Sequence, residues 1–352
     1  MNTAVKRLLE QKGSILCLDI GSGTQDVLLA SPGLEPENWT QLVLPSPARL
    51  VAQRVAALTA AGKHIWLYGG NMGGGFGRAL KAHMQAGLRV SSTLAASRAV
   101  HDNPAVVTSM GIEFAEQRPC DSVGVFLADY SPEFWSTLLR QLGLPQPAMV
   151  AACAQDHGYC QESNRMARMH TWRALLEHSV DPAQWIYEGA VPENLTRLAA
   201  LQAYTGGAVA DSATAAVLGA LSMPEVADRS FRQGVSVINV GNGHIVAMLL
   251  YHGGVRGIFE HHTGMRTQEE YLADLKEFRL QWLPDEQVRA TGGHGTAFAP
   301  YSEEAGGFVP TYILGPQRAF LAGQGQYIAP CGNMMLAGCY GLLHGMAQRF
   351  SS

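Results

Sequence analysis

Residues Ser14 to Ala30 read SILCLDIGSGTQDVLLA. Two apolar runs, Ile15–Ile20 and Val27–Ala30, flank Gly21-Ser22-Gly23-Thr24-Gln25, with Asp19 and Asp26 at the shoulders. Short apolar runs bounded by a Gly-rich turn predict a β-hairpin. Such a turn can simply reverse the chain. It can also cradle an anion, because glycines let backbone approach a ligand and successive N–H groups can point at phosphate oxygens. An aspartate ending the first strand then suits Mg²⁺ or a Mg²⁺-bound water. The stretch alone leaves both readings open, and the rest of the chain has to separate them.

Working outward, Thr40–Leu44 adds a third strand, and Pro47 opens a helix that Gly62 stops. His64–Tyr68 is a strand running into Gly69-Gly70-Asn71-Met72-Gly73-Gly74-Gly75 and then a helix to about Ala86. Strand, Gly-rich loop and helix is α/β grammar, and such loops bind ligands. The loop is neither a P-loop, since no lysine follows in place, nor a G-x-G-x-x-G fingerprint. Asp121–Asp129, followed by Ser131 as cap and Pro132 at the first helical position, repeats the pattern. Ala148–Ala154 is a strand entering Gln155-Asp156-His157-Gly158, and helices are expected over Asn164–His178 and over the small-residue run Ala210–Leu221. Val235–Val240, a Gly241-Asn242-Gly243-His244 turn and Ile245–Tyr251 then repeat the opening hairpin, an internal duplication of one unit. Gly257–Glu260 is a strand, Thr267-Gln268-Glu269-Glu270 a capping box, Thr311–Leu314 a late strand and Met334–Phe350 the closing helix.

At 352 residues, the chain is long enough for two domains. With 47% hydrophobic and 15% charged residues it is globular, and a net charge of −4 with 25 Lys+Arg argues against nucleic-acid binding. No run of signal-peptide or membrane-spanning length occurs, so no membrane partner is expected and a cytoplasmic location is the default. The six cysteines include no C-x-x-x-C-x-x-C run, which excludes a locally written three-cysteine iron–sulfur site.

The order of motifs resembles the actin, sugar-kinase and heat-shock-chaperone ATPase superfamily. DIGSGT (19–24) and NVGNGH (239–244) are similar to its two phosphate motifs, DSATAAVLGAL (211–221) to its interdomain helix, and YILGPQR (312–318) to its adenosine motif. CGNMMLAGCYGLLHG (331–345) is similar to its second interdomain helix. More narrowly, LDIGSGTQDVLL, NMGGG, QDHG with SNR, NVGNGH, FEHHTG and GGHG resemble a prokaryotic family labelled as pyruvate formate-lyase activating enzymes. An activase of that kind would need the iron–sulfur motif that is missing here.

The resemblance implies an α/β fold of two actin-like (ribonuclease H-like) domains, residues 1–210 and 211–352, with a nucleotide cleft between them and helix 334–350 packing back on the first. It implies ATP and Mg²⁺ as cofactors. Asp19 would be the metal anchor, and Gly21, Ser22, Gly23, Thr24, Asn239, Gly241, Asn242, Gly243, His244, Gly315 and Arg318 would hold the nucleotide. Asn239 stands where the superfamily often carries an acid, so it cannot serve there as an anionic ligand or base. Asp211 aligns both with a kinase general base and with a residue that only caps its helix. Asn71, Gly73, Gly74, Asp156, His157, His261 and His262 are the substrate-side candidates, and Arg165 is a further candidate anion partner. QDHG resembles the Q-M-H-G of xylulose-type kinases. His157, His244, His261, His262 and His294, with Asp156 and Glu260, are alternatively a metal set. Three functions stay open: a phosphotransferase or ATPase acting on a small molecule, an ATP-driven switch acting on a protein partner, and a metal-dependent enzyme using the histidine loops.

Overall fold

A computed structural model describes residues 3–160, 163–301 and 303–351. The opening hairpin forms as expected, with Ile15–Ile20 antiparallel to Thr24–Ala30 and Asp19 directly opposite Asp26. Thr40–Pro45 adds on one side, and Met149–Ala154 and Val209–Ala210 add in parallel on the other. The second hairpin is built the same way. Val235–Val240 pairs antiparallel with His244–Tyr251, Gly254–His262 follows, and Thr311–Leu314 and Gln326–Tyr327 add in parallel beside Val235–Val240. Gly295–Phe298 is an extra antiparallel strand on the outer edge. An antiparallel trio extended by parallel strands beside its first strand, present twice, is the duplicated ribonuclease H-like sheet of the actin-like fold.

Each central strand is apolar at almost every position because both faces are covered. In the first sheet Leu16, Leu18 and Ile20 pack with Trp135, Leu139 and Leu198, while Ile15 and Cys17 face Leu336, Tyr340 and Leu343 at the C-terminus. In the second, Ile238 and Val240 pack with Tyr271 and Phe278, while Val235 and Val237 face Ala213, Ala216 and Val217. The strand alternation therefore puts Asp19 on the Ala337–Ser351 side and Asn239 on the Ser212–Leu221 side. Those two helices cross between the sheets at backbone contact. A Cβ built on Gly341 would lie 1.8 Å from the Ala215 carbonyl oxygen, and one on Gly219 would lie 2.2 Å from that of Ala337. The helix Ala337–Ser351 packs on Ile15–Ile20 and on an N-terminal helix, Thr3–Lys12, that the sequence reading did not identify.

One expectation changes: Ala210 belongs to a strand, and the helix starts at Ser212 with Asp211 as its N-cap. The strands at His64–Gly69 and Ser122–Leu127, whose sheet the sequence did not assign, do not join the first sheet. They form instead a separate all-parallel sheet, ordered Glu113–Phe114, Val90–Ser92, His64–Gly69, Ser122–Leu127, over a core of its own. This insertion matters to the site because the loop after His64–Gly69 leaves the carboxyl ends of its strands toward the two hairpins. Among the described residues no helix is long and apolar enough to cross a membrane.

Candidate functional site

The two hairpin turns face each other across a cavity of about 280 Å³. They are superimposable in their bonding. Gly21 N donates to Thr24 O at 2.9 Å, and Gly241 N to His244 O at 2.8 Å. Behind the first tip, Ser46 donates through its N–H to Gly23 O and through Oγ to Ser22 O. Behind the second, Thr263 donates through its N–H to Gly243 O and through Oγ1 to Gly241 O. The tip carbonyls are thus secured from the rear. The N–H groups of Ser22, Gly23, Asn242 and Gly243 donate no hydrogen bond among the described residues. The tips nearly touch, since a Cβ on Gly23 would lie 3.1 Å from Asn242 Nδ2. Ser46 and Thr263 were missed from the sequence, although a hydroxyl residue follows each hairpin's third strand.

Asp19 lies on the cavity wall below the first tip and accepts from Ser212 Oγ at 2.8 Å. Gly338 seats it, because a Cβ there would meet Asp19 Oδ2 at 2.1 Å. Burial pushes its carboxyl up to about 6, against the Ser212 and Cys153 hydrogen bonds. Asp26, also on the wall, is pushed to about 8 by burial and then by the neighbouring Asp19, and its Oδ1 is buried with no partner among the described residues.

Asp211 reaches the cavity, but its carboxylate is already shared. It accepts from Arg168 Nη1 at 2.5 Å and Nη2 at 3.0 Å, from Asp156 N at 3.2 Å and from Ala213 N at 2.9 Å. Of the two roles open to it, the geometry is that of a cap and an ion-pair partner. Arg168, fully buried over the Trp172 ring, also donates from Nε to Glu260 Oε2 at 2.8 Å. Burial alone would lower its basicity, yet Asp211 and Glu260 raise it overall. Glu260, likewise buried, is held below the usual carboxylate range: burial opposes ionisation, and Arg168 outweighs it. A second cation, the partly buried Arg197, pairs with Asp129 at 2.6 Å and donates to Gln155 O at 2.8 Å. Asp129 in turn accepts from Gly73 N at 3.3 Å, which fixes the glycine loop against the cavity. Neither arginine was identified in the sequence, where each is one cation on an ordinary helix.

Gly73, Gly74, His157, Asn239 and Gly315 line the cavity, as do the named residues of both turns except Gly23 and Gln25. Asn71 and Asp156 do not. Asn71 donates to Thr196 Oγ1, and Asp156 accepts from the Arg197 and Leu198 N–H groups, capping the helix Thr196–Thr205. His261 is fully buried against Thr291, away from the cleft. Arg318 stacks over Tyr327 outside the cavity lining.

The histidines divide. His157, His244 and His294 bring one ring nitrogen each within 4.8 Å of one another, with His262 flanking His244 at a centroid distance of 4.5 Å. Burial holds His157 at about 4, His244 at about 3 and His294 at about 2, so all three are neutral near pH 7.

A family profile matches residues 72–320, and the chain belongs to that family, described as "Putative pyruvate format-lyase activating enzyme (DUF1786)". No curated protein matches. Among solved structures the chain is similar to a Bacteroides thetaiotaomicron protein with actin-like ATPase fold, at 8% identity, 95% and 96% coverage of the two chains and a TM-score of 0.39. It is also similar to the ethanolamine utilization protein EutJ of Carboxydothermus hydrogenoformans, at 12% identity, 94% and 88% coverage and a TM-score of 0.30. A third is the ROK hexokinase of Thermus thermophilus, at 11% identity, 96% and 100% coverage and a TM-score of 0.31.

Proposed function

We propose that this family member binds ATP with Mg²⁺ between its two hairpins and works by closing on it. One observation carries the reading: four N–H groups, two per tip, donate no hydrogen bond among the described residues, and three of them, those of Ser22, Asn242 and Gly243, belong to residues lining the cavity between the hairpins. Such consecutive donors suit the oxygens of a polyphosphate. The residues also fit the cation. Asp19 and Asp26 offer hard oxygens, and the unpartnered Asp26 Oδ1 is a buried acceptor that a divalent ion would satisfy. Bound there, Mg²⁺ would neutralise phosphate charge. Gly315, Pro316, Met334 and Met335 form the wall on the side of the second hairpin, where the adenosine would lie.

The geometry favours closure over transfer to an acceptor. The tips are already close, so a nucleotide enters with the halves apart and draws them together. Asp211, the position of a kinase-type base, is held by Arg168 and by two backbone N–H groups, and Asn239 adds no anion. This supports slow hydrolysis and a switch that acts on a protein partner. A phosphotransferase is the second reading, favoured by Asp19, a carboxyl near neutrality that could take a proton from an acceptor held by Gly73 and Gly74. Thermal unfolding with ATP or ADP, with and without Mg²⁺, tests the shared premise. A Mg²⁺-dependent rise in melting temperature is expected, and no shift at millimolar nucleotide would overturn it. Turnover across a metabolite panel would then move the reading from switch to phosphotransferase.

A further inference from the structure

We propose that His157, His244 and His294 form a site for one first-row transition ion, Zn²⁺ foremost, which ties the two halves of the molecule together. The inference does not rest on nucleotide binding. Three imidazoles converge, with His157 Nε2 already 3.4 Å from His244 Nε2. Two nitrogens of one tetrahedral zinc ion stand about 3.3 Å apart at Zn–N distances near 2.0–2.1 Å. With all three donor atoms within 4.8 Å of one another, small side-chain rotations close the set. An imidazole donor set selects Zn²⁺, Cu²⁺, Fe²⁺ or Ni²⁺ over Mg²⁺ or Ca²⁺.

A second observation points the same way. His294 is 2% exposed, and both its ring nitrogens are buried without a hydrogen-bond partner among the described residues. Unsatisfied buried polar atoms are costly, on the order of 1–3 kcal/mol each. The backbone is shaped to bring this ring in. His244 begins its strand, His262 ends the neighbouring one directly opposite, and His294 immediately precedes the third. Gly295, at φ +141°, sits where an added Cβ would strike Asp285, and it turns the chain so that the His294 ring lies beside those of His244 and His262. His261, between Glu260 and His262 on the same strand, faces elsewhere.

The ligands come from both halves. His157 follows the first sheet's strand Met149–Ala154, whereas His244 begins one strand of the second sheet and His294 immediately precedes another. A bound ion would therefore fasten the halves beside the cleft, with a fourth position left for water or an incoming oxygen.

The test uses the full-length, untagged protein, stripped by chelator and titrated with Zn²⁺ by calorimetry, with metal content measured after gel filtration. One ion per chain and a raised melting temperature are expected. His294→Ala and His157→Ala should each weaken binding at least 100-fold, and His261→Gln should keep full stoichiometry. If the alanine variants fail to fold, Co²⁺ added to the wild type gives the second readout, the intense visible bands of a four-coordinate ion. Absence of stoichiometric metal in the folded wild type, absence of those bands, or full retention by folded His294→Ala would overturn the site. Because His294 lies outside both hairpin tips, its variant should still respond to nucleotide, which separates failure of this site from failure of the nucleotide reading.

Discussion

Replacing Arg168 by methionine probes the buried ion network that holds the two halves' polar elements in place. Arg168 sits on the helix Asn164–His178 and joins Asp211, the cap of the interdomain helix, to Glu260 on the second sheet. Methionine keeps much of the packing over Trp172 and removes only the charge and its donors. Two buried carboxylates then lose their cation. Breaking one buried pair from one side costs about 3–5 kcal/mol. The two pairs share a partner and do not simply add. Asp211 keeps two backbone donors, and Glu260 keeps Trp172 Nε1 and Gln155 Nε2. A loss of about 4 kcal/mol is therefore expected, or about 10 °C in melting temperature for a unit of this size. Urea unfolding followed by the fluorescence of buried Trp172 and Trp185 measures it.

The pH dependence carries the sign. In the wild type the pKa of Glu260 is depressed, so its contribution is present above the ordinary carboxylate range and lost as pH falls below it. Without Arg168 the same carboxyl is buried and uncompensated, its pKa rises, and the native state takes up a proton. The variant's deficit should then narrow from pH 8 to pH 5, and adding Glu260→Gln should recover about 2 kcal/mol. A loss under 1 kcal/mol, or no recovery in the double variant, would refute the reasoning.

Gly341→Ala places a methyl 1.8 Å from the Ala215 carbonyl oxygen, so two helices must part by more than an ångström. Overpacking of about 1–3 kcal/mol should outweigh the ~1 kcal/mol gain in helix propensity, and differential scanning calorimetry should show a lower melting temperature. Asp19→Asn keeps the bond to Ser212 and loses the anion. By calorimetry, ATP affinity in Mg²⁺ should fall at least tenfold, toward the value seen in chelator; unchanged affinity would remove Asp19 from the cation site.

The sequence reading captured what depends on local pattern and duplication. Ile15–Ile20 and Val235–Val240, each followed by a Gly-x-Gly turn, appear as equivalent strands with equivalent turn bonds. Ser131 with Pro132 and the Thr267–Glu270 box appear as true helix starts. What escaped it is decided by where a side chain points across long sequence separations. Arg168 and Arg197 were invisible because their partners lie on other elements. The histidines could be counted, but not sorted. Strand alternation takes His261 away from the cluster, and the positive φ of Gly295 brings His294 into it. The separate sheet of the insertion was hidden for a related reason, since a buried parallel strand such as His64–Gly69 reads the same whichever sheet it joins.

Amide hydrogen exchange with and without Mg²⁺–ATP tests the clamp most directly. The N–H groups of Ser22, Gly23, Asn242 and Gly243 have no partner among the described residues and should exchange fast in the free chain. The account predicts that nucleotide slows exchange at both tips together. Protection of one tip alone, or of neither at saturating nucleotide, would contradict it.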